Sequence, residues 1–114
     1  SYARKYNTRR ITVPMAAAQS YDATYLLVYA LFGIRDGKLE GPAVKAALEN
    51  IERTYYGVVA TYDHPFSASE KDAITRNMLV VGQVKKGNIT FAYPEDARRN
   101  LFVQRSKAAS ATTK

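Results

Sequence analysis

Apolar residues recur every three or four positions through residues 16–32, and this repeat predicts a long α-helix. The inward positions that the repeat predicts are Ala18, Tyr21, Tyr25, Val28 and Phe32. Further apolar side chains flank them, so we expect the helix to be buried on more than one side. Gly33 follows as a helix stop.

A second helical repeat covers residues 41–51, after a turn predicted at Asp36 and Gly37. Gly41 is expected to cap this helix and Pro42 to occupy its first position, where a missing N–H costs nothing. Its predicted inward face is Val44, Leu48 and Ile51, and its predicted solvent face is Lys45, Glu49 and Glu52. Two helices with a short connection predict an αα-hairpin.

From residue 54 the apolar positions no longer recur every three or four residues but at every second residue, which predicts strands rather than helices. Strands are predicted over residues 54–62, 78–84 and 89–93, with a hairpin loop at 85–88. An S-x-x-E pattern at residues 67–70 predicts a short helical turn running to Ile74. Another short helix is expected to open at residues 94–96. The fold class is therefore α/β, an αα-hairpin followed by mostly antiparallel strands.

The two ends of the chain differ from this body. Residues 1–10 read as the end of an amphipathic helix, with a disordered purification remnant as the alternative, and 11–14 as an extended link. Residues 98–114 are expected to form a basic, mobile tail. The predicted segments are thus 1–14, 15–53, 54–97 and 98–114.

The formal charge of +7 raises the question of nucleic-acid binding. Nine of the 17 basic residues lie in residues 1–10 and 98–114, which contain no acid. Residues 11–97 carry eight basic and all ten acidic residues, so the body is slightly acidic. A groove-reading domain carries its charge on a structured face, and we therefore expect no nucleic-acid partner.

Few residues are suited to catalysis or metal binding. Cysteine is absent, which excludes disulfides, thiolate metal sites and a cysteine nucleophile. The one histidine, His64, stands in a predicted turn before Pro65, where we expect it to be solvated. No phosphate-binding glycine motif and no nucleophile elbow occur. We expect neither enzymatic activity nor a cofactor, and we expect most of the nine tyrosines to pack in the core.

The order of several segments resembles the periplasmic solute-binding proteins of branched-chain amino-acid ABC transporters, which have the type 1 periplasmic fold. Residues 16–23 (AAAQSYDA) with the following Leu26-Leu27 and Ala30-Leu31 are similar to one helix of that family. Residues 44–49 (VKAALE), 56–62 (YGVVATY) and 65–67 (PFS) follow in the same order, and 84–88 (VKKGN) resembles the closing hairpin. The resemblance covers nearly the whole chain but only about the last third of a typical member.

This resemblance implies a C-terminal fragment of a protein whose two α/β lobes close on a small ligand. The two helices would belong to the first lobe and the closing hairpin to the second. The ligand would be an amino acid or related small carboxylate, delivered to a membrane permease from the periplasm, with a signal peptide expected upstream.

Ligand-binding residues follow by position in the family. The chain before the Tyr21 helix lies near the cleft, which implies Met15, Ala16, Ala17 and Gln19 as candidates. Members that bind branched-chain amino acids often carry an aromatic residue there. Alanine leaves space for a larger or aromatic carboxylate.

Two further expectations concern the isolated chain. A fragment exposes faces that its parent covers, which predicts a homo-oligomer, and most of the ligand site would be missing, which predicts no amino-acid binding. The alternatives are a ligand-sensing regulatory domain of the same fold and a small basic nucleic-acid-binding module.

Overall fold

The computed structural model describes residues 2–105 and begins with one turn of helix, α1 (Tyr2–Lys5). The rings of Tyr2 and Tyr6 lie 4.6 Å apart, one helical turn from each other. This agrees with the helix end predicted for the start of the chain. Ser1 and residues 106–114 lie outside the described residues.

Helix α2 (Pro14–Phe32) confirms the long helix predicted from the apolar repeat. It begins with Pro14 in the first turn and ends before Gly33, whose N–H donates to the Ala30 carbonyl at 2.9 Å. Its buried positions are Asp22, Leu26 and Ala30, a narrower stripe than predicted. Tyr21 and Phe32, two of the predicted inward residues, are 50% and 83% exposed.

Helix α3 (Gly41–Glu49) packs against α2 and confirms the αα-hairpin. In the connection, the N–H of Lys38 donates to the Asp36 carboxylate at 3.1 Å, which fixes the predicted turn. Val44 and Leu48 are half-buried and Ile51, just after the helix, is buried. The predicted inward face of α3 is confirmed for Leu48 and Ile51, which belong to or pack against the core, whereas the Glu49 side chain, predicted to face water, is only 14% exposed.

The strand predicted over residues 54–62 is wrong, because the chain reverses within it. Strand β1 (Tyr55–Tyr56) pairs antiparallel with β2 (Thr61–Asp63), and Tyr55 lies opposite Tyr62. The N–H of Gly57 closes the turn on the Ala60 carbonyl at 2.9 Å. Alternation continues through both arms of such a hairpin, so the pattern alone does not reveal the reversal.

Strand β5 (Phe102–Gln104) pairs parallel with β2 and completes a three-stranded sheet of order β1-β2-β5. Its central residue, Val103, is completely buried. This part of the chain was expected to belong to a mobile tail, and for residues 98–105 the structure differs. The remainder of the predicted tail, 106–114, lies outside the described residues.

The helical turn predicted after Ser67 does not form. The Ser67 hydroxyl accepts the N–H of Glu70 at 3.1 Å, which is half of a capping box. The backbone nevertheless stays irregular up to a single 3₁₀ turn at Arg76–Met78. The local hydrogen bond thus makes a turn without starting a helix.

The predicted second hairpin is confirmed, with shorter strands than expected. Strands β3 (Gly82–Lys85) and β4 (Asn88–Phe91) pair antiparallel and form a separate two-stranded ribbon. Lys86 and Gly87 make its turn with φ of 50° and 77°, the conformation that glycine favours. A 3₁₀ helix follows at Pro94–Arg98, where a short helix is predicted.

The hydrophobic core is small and lies where α2, the end of α3 and the three-stranded sheet meet. Its buried apolar members are Leu26, Ala30, Ile51, Tyr55, Ala60, Tyr62 and Val103. The radius of gyration is 17.6 Å, whereas a compact domain of this length has about 13 Å. The fold is thus an elongated mixed α/β arrangement with two short sheets. Within residues 2–105, no helix is long and apolar enough to cross a membrane.

Candidate functional site

The four candidate ligand residues lie at the start of α2. Met15, Ala16 and Gln19 are exposed and Ala17 is half-buried. No side chain caps this end and its first turn carries no acid. Its free N–H groups and the positive end of the helix dipole would favour a carboxylate.

One turn further along α2, a carboxylate is buried in the protein. Asp22 is 1% exposed, and both of its oxygens accept hydrogen bonds from the β1–β2 hairpin. Oδ1 accepts from the Val58 N–H at 2.7 Å and Oδ2 from the Val59 N–H at 2.7 Å. The hydroxyls of Tyr55 and Tyr62 donate to the same two oxygens at 3.1 and 3.2 Å.

Gly57 makes this contact sterically feasible. A Cβ at position 57 would lie 2.5 Å from Asp22 Oδ2 and 2.7 Å from the Ala60 carbonyl oxygen. Real Cβ atoms do not approach backbone this closely. The tight approach of the turn to Asp22 therefore requires glycine at this position.

Three tyrosine rings pack against Tyr55, whose hydroxyl donates to the carboxylate. Tyr55 stacks on Tyr62 at 6.0 Å and on Tyr25 at 5.7 Å, while Tyr29 meets it edge to face at 5.3 Å. Burial, together with the charge of Asp22, raises the pKa of Tyr62 to about 12, and the same causes raise the pKa of Tyr55. Both phenols therefore stay neutral and serve as hydrogen-bond donors.

The cluster of Asp22, Tyr55, Tyr62 and the N–H groups of Val58 and Val59 holds the β1–β2 hairpin against α2 and is not a catalytic centre. We call this cluster the Asp22 latch. Four donors occupy the carboxylate and almost none of it reaches solvent, so no position is left for a substrate or a metal ion. It joins two segments more than 30 residues apart. Sequence reasoning missed Asp22, although an acid in the middle of an apolar helix stripe is itself a signal.

A groove of about 760 Å³ opens between the carboxyl ends of α2 and α3. Tyr29, Phe32 and Ile51 supply apolar and aromatic lining, and Arg35 and Arg53 supply positive charge. The charged and amide residues that line it, Arg35, Asn50, Glu52 and Arg53, are all exposed, and the groove lies at the opposite end of α2 from the candidate ligand residues. We therefore assign it no ligand.

His64 is buried, so the prediction of a solvated histidine is wrong. It is 8% exposed and has φ of 50°, and its carbonyl accepts the N–H of Arg105 at 3.1 Å. The neighbouring Asp63 accepts hydrogen bonds from Gln104 at 2.6 Å and Thr54 at 3.4 Å. Within residues 2–105, no group of three or more histidine and acidic side chains lies close enough together to hold a metal ion. The surroundings of His64 thus hold the β2–β5 junction together.

The chain was compared with known proteins at the level of family models, sequences and structures. No family model matches it, and neither the curated proteins nor the solved structures gave a match.

Proposed function

We propose that this chain is the C-terminal part of the substrate-binding component of an ABC-type importer. Its two-lobed parent would bind a branched-chain amino acid or related small carboxylate in the periplasm and deliver it to a membrane permease. The lobes would close around the ligand by a hinge motion.

The observation that carries the proposal is the Asp22 latch. The resemblance rests on separate motifs, of which residues 16–23 and 56–62 are the longest. The Asp22 carboxylate belongs to the first motif and accepts the N–H groups of Val58 and Val59 in the second. Motifs that meet in space support a common architectural origin more strongly than motifs that merely follow in order.

Two further features support the proposal. Residues 84–88 form a tight hairpin, as the resemblance implies for the closing hairpin. The start of α2 presents small, exposed Ala16 beside free backbone N–H groups, which suits a carboxylate with a bulky body. Ala16 in place of an aromatic residue favours an aromatic carboxylate over leucine, isoleucine and valine.

The experiment is calorimetric titration of the complete gene product that contains this chain. The probes are leucine, isoleucine, valine, phenylalanine and benzoate. We expect Ala16→Phe to weaken binding at least about tenfold, because one displaced methylene group in a pocket already costs 1–3 kcal/mol. Ala23→Phe is the matched control, since Ala23 is also exposed on α2 but two turns away, and it should bind as the parent does.

Several results would overturn the proposal. No binding of any probe, or equal effects of the two variants, would remove the ligand site from the start of α2. Binding by a protein that osmotic shock does not release from cells would favour the sensing domain over the transporter component. The isolated chain is expected to bind none of the probes, because most of the site would lie upstream.

A further inference from the structure

Residues 79–100 form an arm that leaves the core and returns to it. Met78 and Leu101, which flank the arm on either side, both pack against the core. Within the arm, Ala92 and Asp96 are half-buried and every other residue is exposed. The arm consists of the β3–β4 ribbon and the 3₁₀ helix that follows it, and it is joined to the core through its two ends.

One side chain bridges the two chain passages at the base of the arm, which we call the neck. Arg99 lies in the returning passage, and its guanidinium reaches the outgoing one. Nη1 donates to the Leu79 carbonyl at 3.2 Å and Nη2 donates to the Asn77 carbonyl. Nη1 also pairs with the Asp96 carboxylate at 2.9 Å, and that side chain is only 10% exposed. Asp96 thus holds the guanidinium in place against the outgoing passage.

The backbone of the neck is suited to bending. Leu79 and Arg99 have nearly the same extended conformation, with φ of −71° and −70° and ψ of 129° and 128°. Neither residue belongs to a helix or a strand. Residues at the ends of elements absorb the changes in φ and ψ at hinges. The Arg99 side chain is therefore the contact that crosses a bendable pair of passages.

We propose that the arm is hinged at the neck and that Arg99 is the clasp that holds it in one orientation. When the clasp is released, the arm swings as a unit, because the ladder between β3 and β4 does not involve Arg99. The Arg99 side chain is 34% exposed, so water and salt compete for its hydrogen bonds and the clasp is readily opened. The inference does not depend on the proposed transport function.

Distance measurements between two spin labels test the clasp. The chain has no cysteine of its own, so nitroxides can be attached at Ala46→Cys on α3 and Thr90→Cys on the ribbon, both exposed positions. Double electron–electron resonance on the full chain then gives the distribution of distances between the labels. We expect a narrow distribution for the labelled parent. Arg99→Gln should broaden it and raise the population of the released arm about threefold or more, as loss of a partly exposed ion pair predicts.

Two substitutions serve as comparisons. Arg98→Gln is the matched control, because it removes the same charge one residue earlier at an exposed position, and it should behave as the parent does. Arg99→Lys keeps the charge but lacks the forked donors that reach two carbonyls and a carboxylate together. It should therefore restore only part of the narrow distribution.

Two further measurements separate release of the clasp from loss of structure. Sodium chloride at about 1 M should broaden the parent distribution and leave that of Arg99→Gln unchanged, because charges are then screened within about 3 Å. Hydrogen exchange of the Ala92 N–H, which donates to the Val81 carbonyl at 2.9 Å, should be equally slow in the parent and in Arg99→Gln, since the ribbon stays folded.

Several results would overturn the proposal. Equal distributions for Arg99→Gln and Arg98→Gln would remove Arg99 as the clasp, and so would full recovery of the narrow distribution by Arg99→Lys at high salt. A parent distribution as broad as that of Arg99→Gln, or one that salt does not change, would show that the neck is not clasped. Faster exchange of the Ala92 N–H in Arg99→Gln would show that the ribbon melts and does not swing.

Discussion

Asp22 and Gly57 approach each other so closely that a Cβ at position 57 would lie 2.5 Å from Asp22 Oδ2. The turn between β1 and β2 folds over the carboxylate because glycine leaves that space empty. The helix and the hairpin are thereby joined by a polar contact inside an otherwise apolar core.

Gly57→Ala tests the steric part of this relationship. The added methyl group would meet the Asp22 carboxylate and the Ala60 carbonyl, so we expect the free energy of unfolding to fall by about 2–3 kcal/mol. Gly41→Ala is the control, because nothing lies within 4 Å of its Cβ position. Urea unfolding followed by circular dichroism measures both variants, and equal midpoints would contradict the steric argument.

Asp22→Asn tests the electrostatic part with almost no change in shape. An amide offers one acceptor oxygen, and its NH₂ group would face one of the two backbone N–H groups that now donate to the carboxylate. A buried donor left unpaired costs about 1–3 kcal/mol, and loss of the charge adds to this. We expect a loss of about 3 kcal/mol in the free energy of unfolding. Asp36→Asn, at an exposed turn where asparagine serves equally well, should change stability by less than about 0.5 kcal/mol.

Helices α2 and α3 and the turn of the β3–β4 ribbon could be predicted from the sequence, whereas the three-stranded sheet β1-β2-β5 could not. The reason is physical. The helical repeat of α2 and the glycine after it are local signals, and so is the Lys86-Gly87 turn of the ribbon. The reversal between Tyr56 and Thr61 depends instead on Asp22, which lies more than 30 residues earlier in the chain. Strand β5 could not be predicted for a similar reason, because its three residues lie in a basic segment and pair with a strand that is distant in sequence.

The candidate site shows the same division. The apolar repeat predicts a helix from residue 16, and in the structure α2 begins at Pro14. The candidate ligand residues Met15, Ala16, Ala17 and Gln19, which only the family resemblance implies, therefore lie in its first turns. His64 is buried, and its carbonyl accepts the N–H of Arg105 from the far end of the described chain, a contact that no local pattern around the histidine reveals. Side chains whose surroundings come from one segment are thus predictable, and those enclosed by distant segments are not.

Val103→Ala tests whether the end of the described chain belongs to the core. Val103 is completely buried between β2 and the rest of the core, so removing two methyl groups leaves a cavity. We expect a loss of about 2 kcal/mol in the free energy of unfolding. Val58→Ala is the control, because that side chain is 67% exposed while its N–H would still donate to Asp22. Equal stability of the two variants would show that β5 adds nothing to the core.

The raised pKa values of Tyr55 and Tyr62 predict how stability depends on alkaline pH. In the folded protein, burial and the Asp22 charge raise the pKa of Tyr62 to about 12, whereas an unfolded tyrosine titrates near its ordinary value of 10. Folding therefore favours the neutral phenols, and their contribution to stability is complete below pH 10 and is lost as the pH rises through 12. Urea unfolding at intervals from about pH 8 to about pH 12 measures this fall in the free energy of unfolding.

Tyr62→Phe should reduce the steepness of the fall, because one titrating group is removed. The variant should also lower the free energy of unfolding at pH 8 by about 1 kcal/mol, through loss of the hydrogen bond of the Tyr62 hydroxyl. Tyr56→Phe is the matched control, since that ring is 79% exposed, and an equal change in steepness for both variants would contradict the buried cluster as the cause.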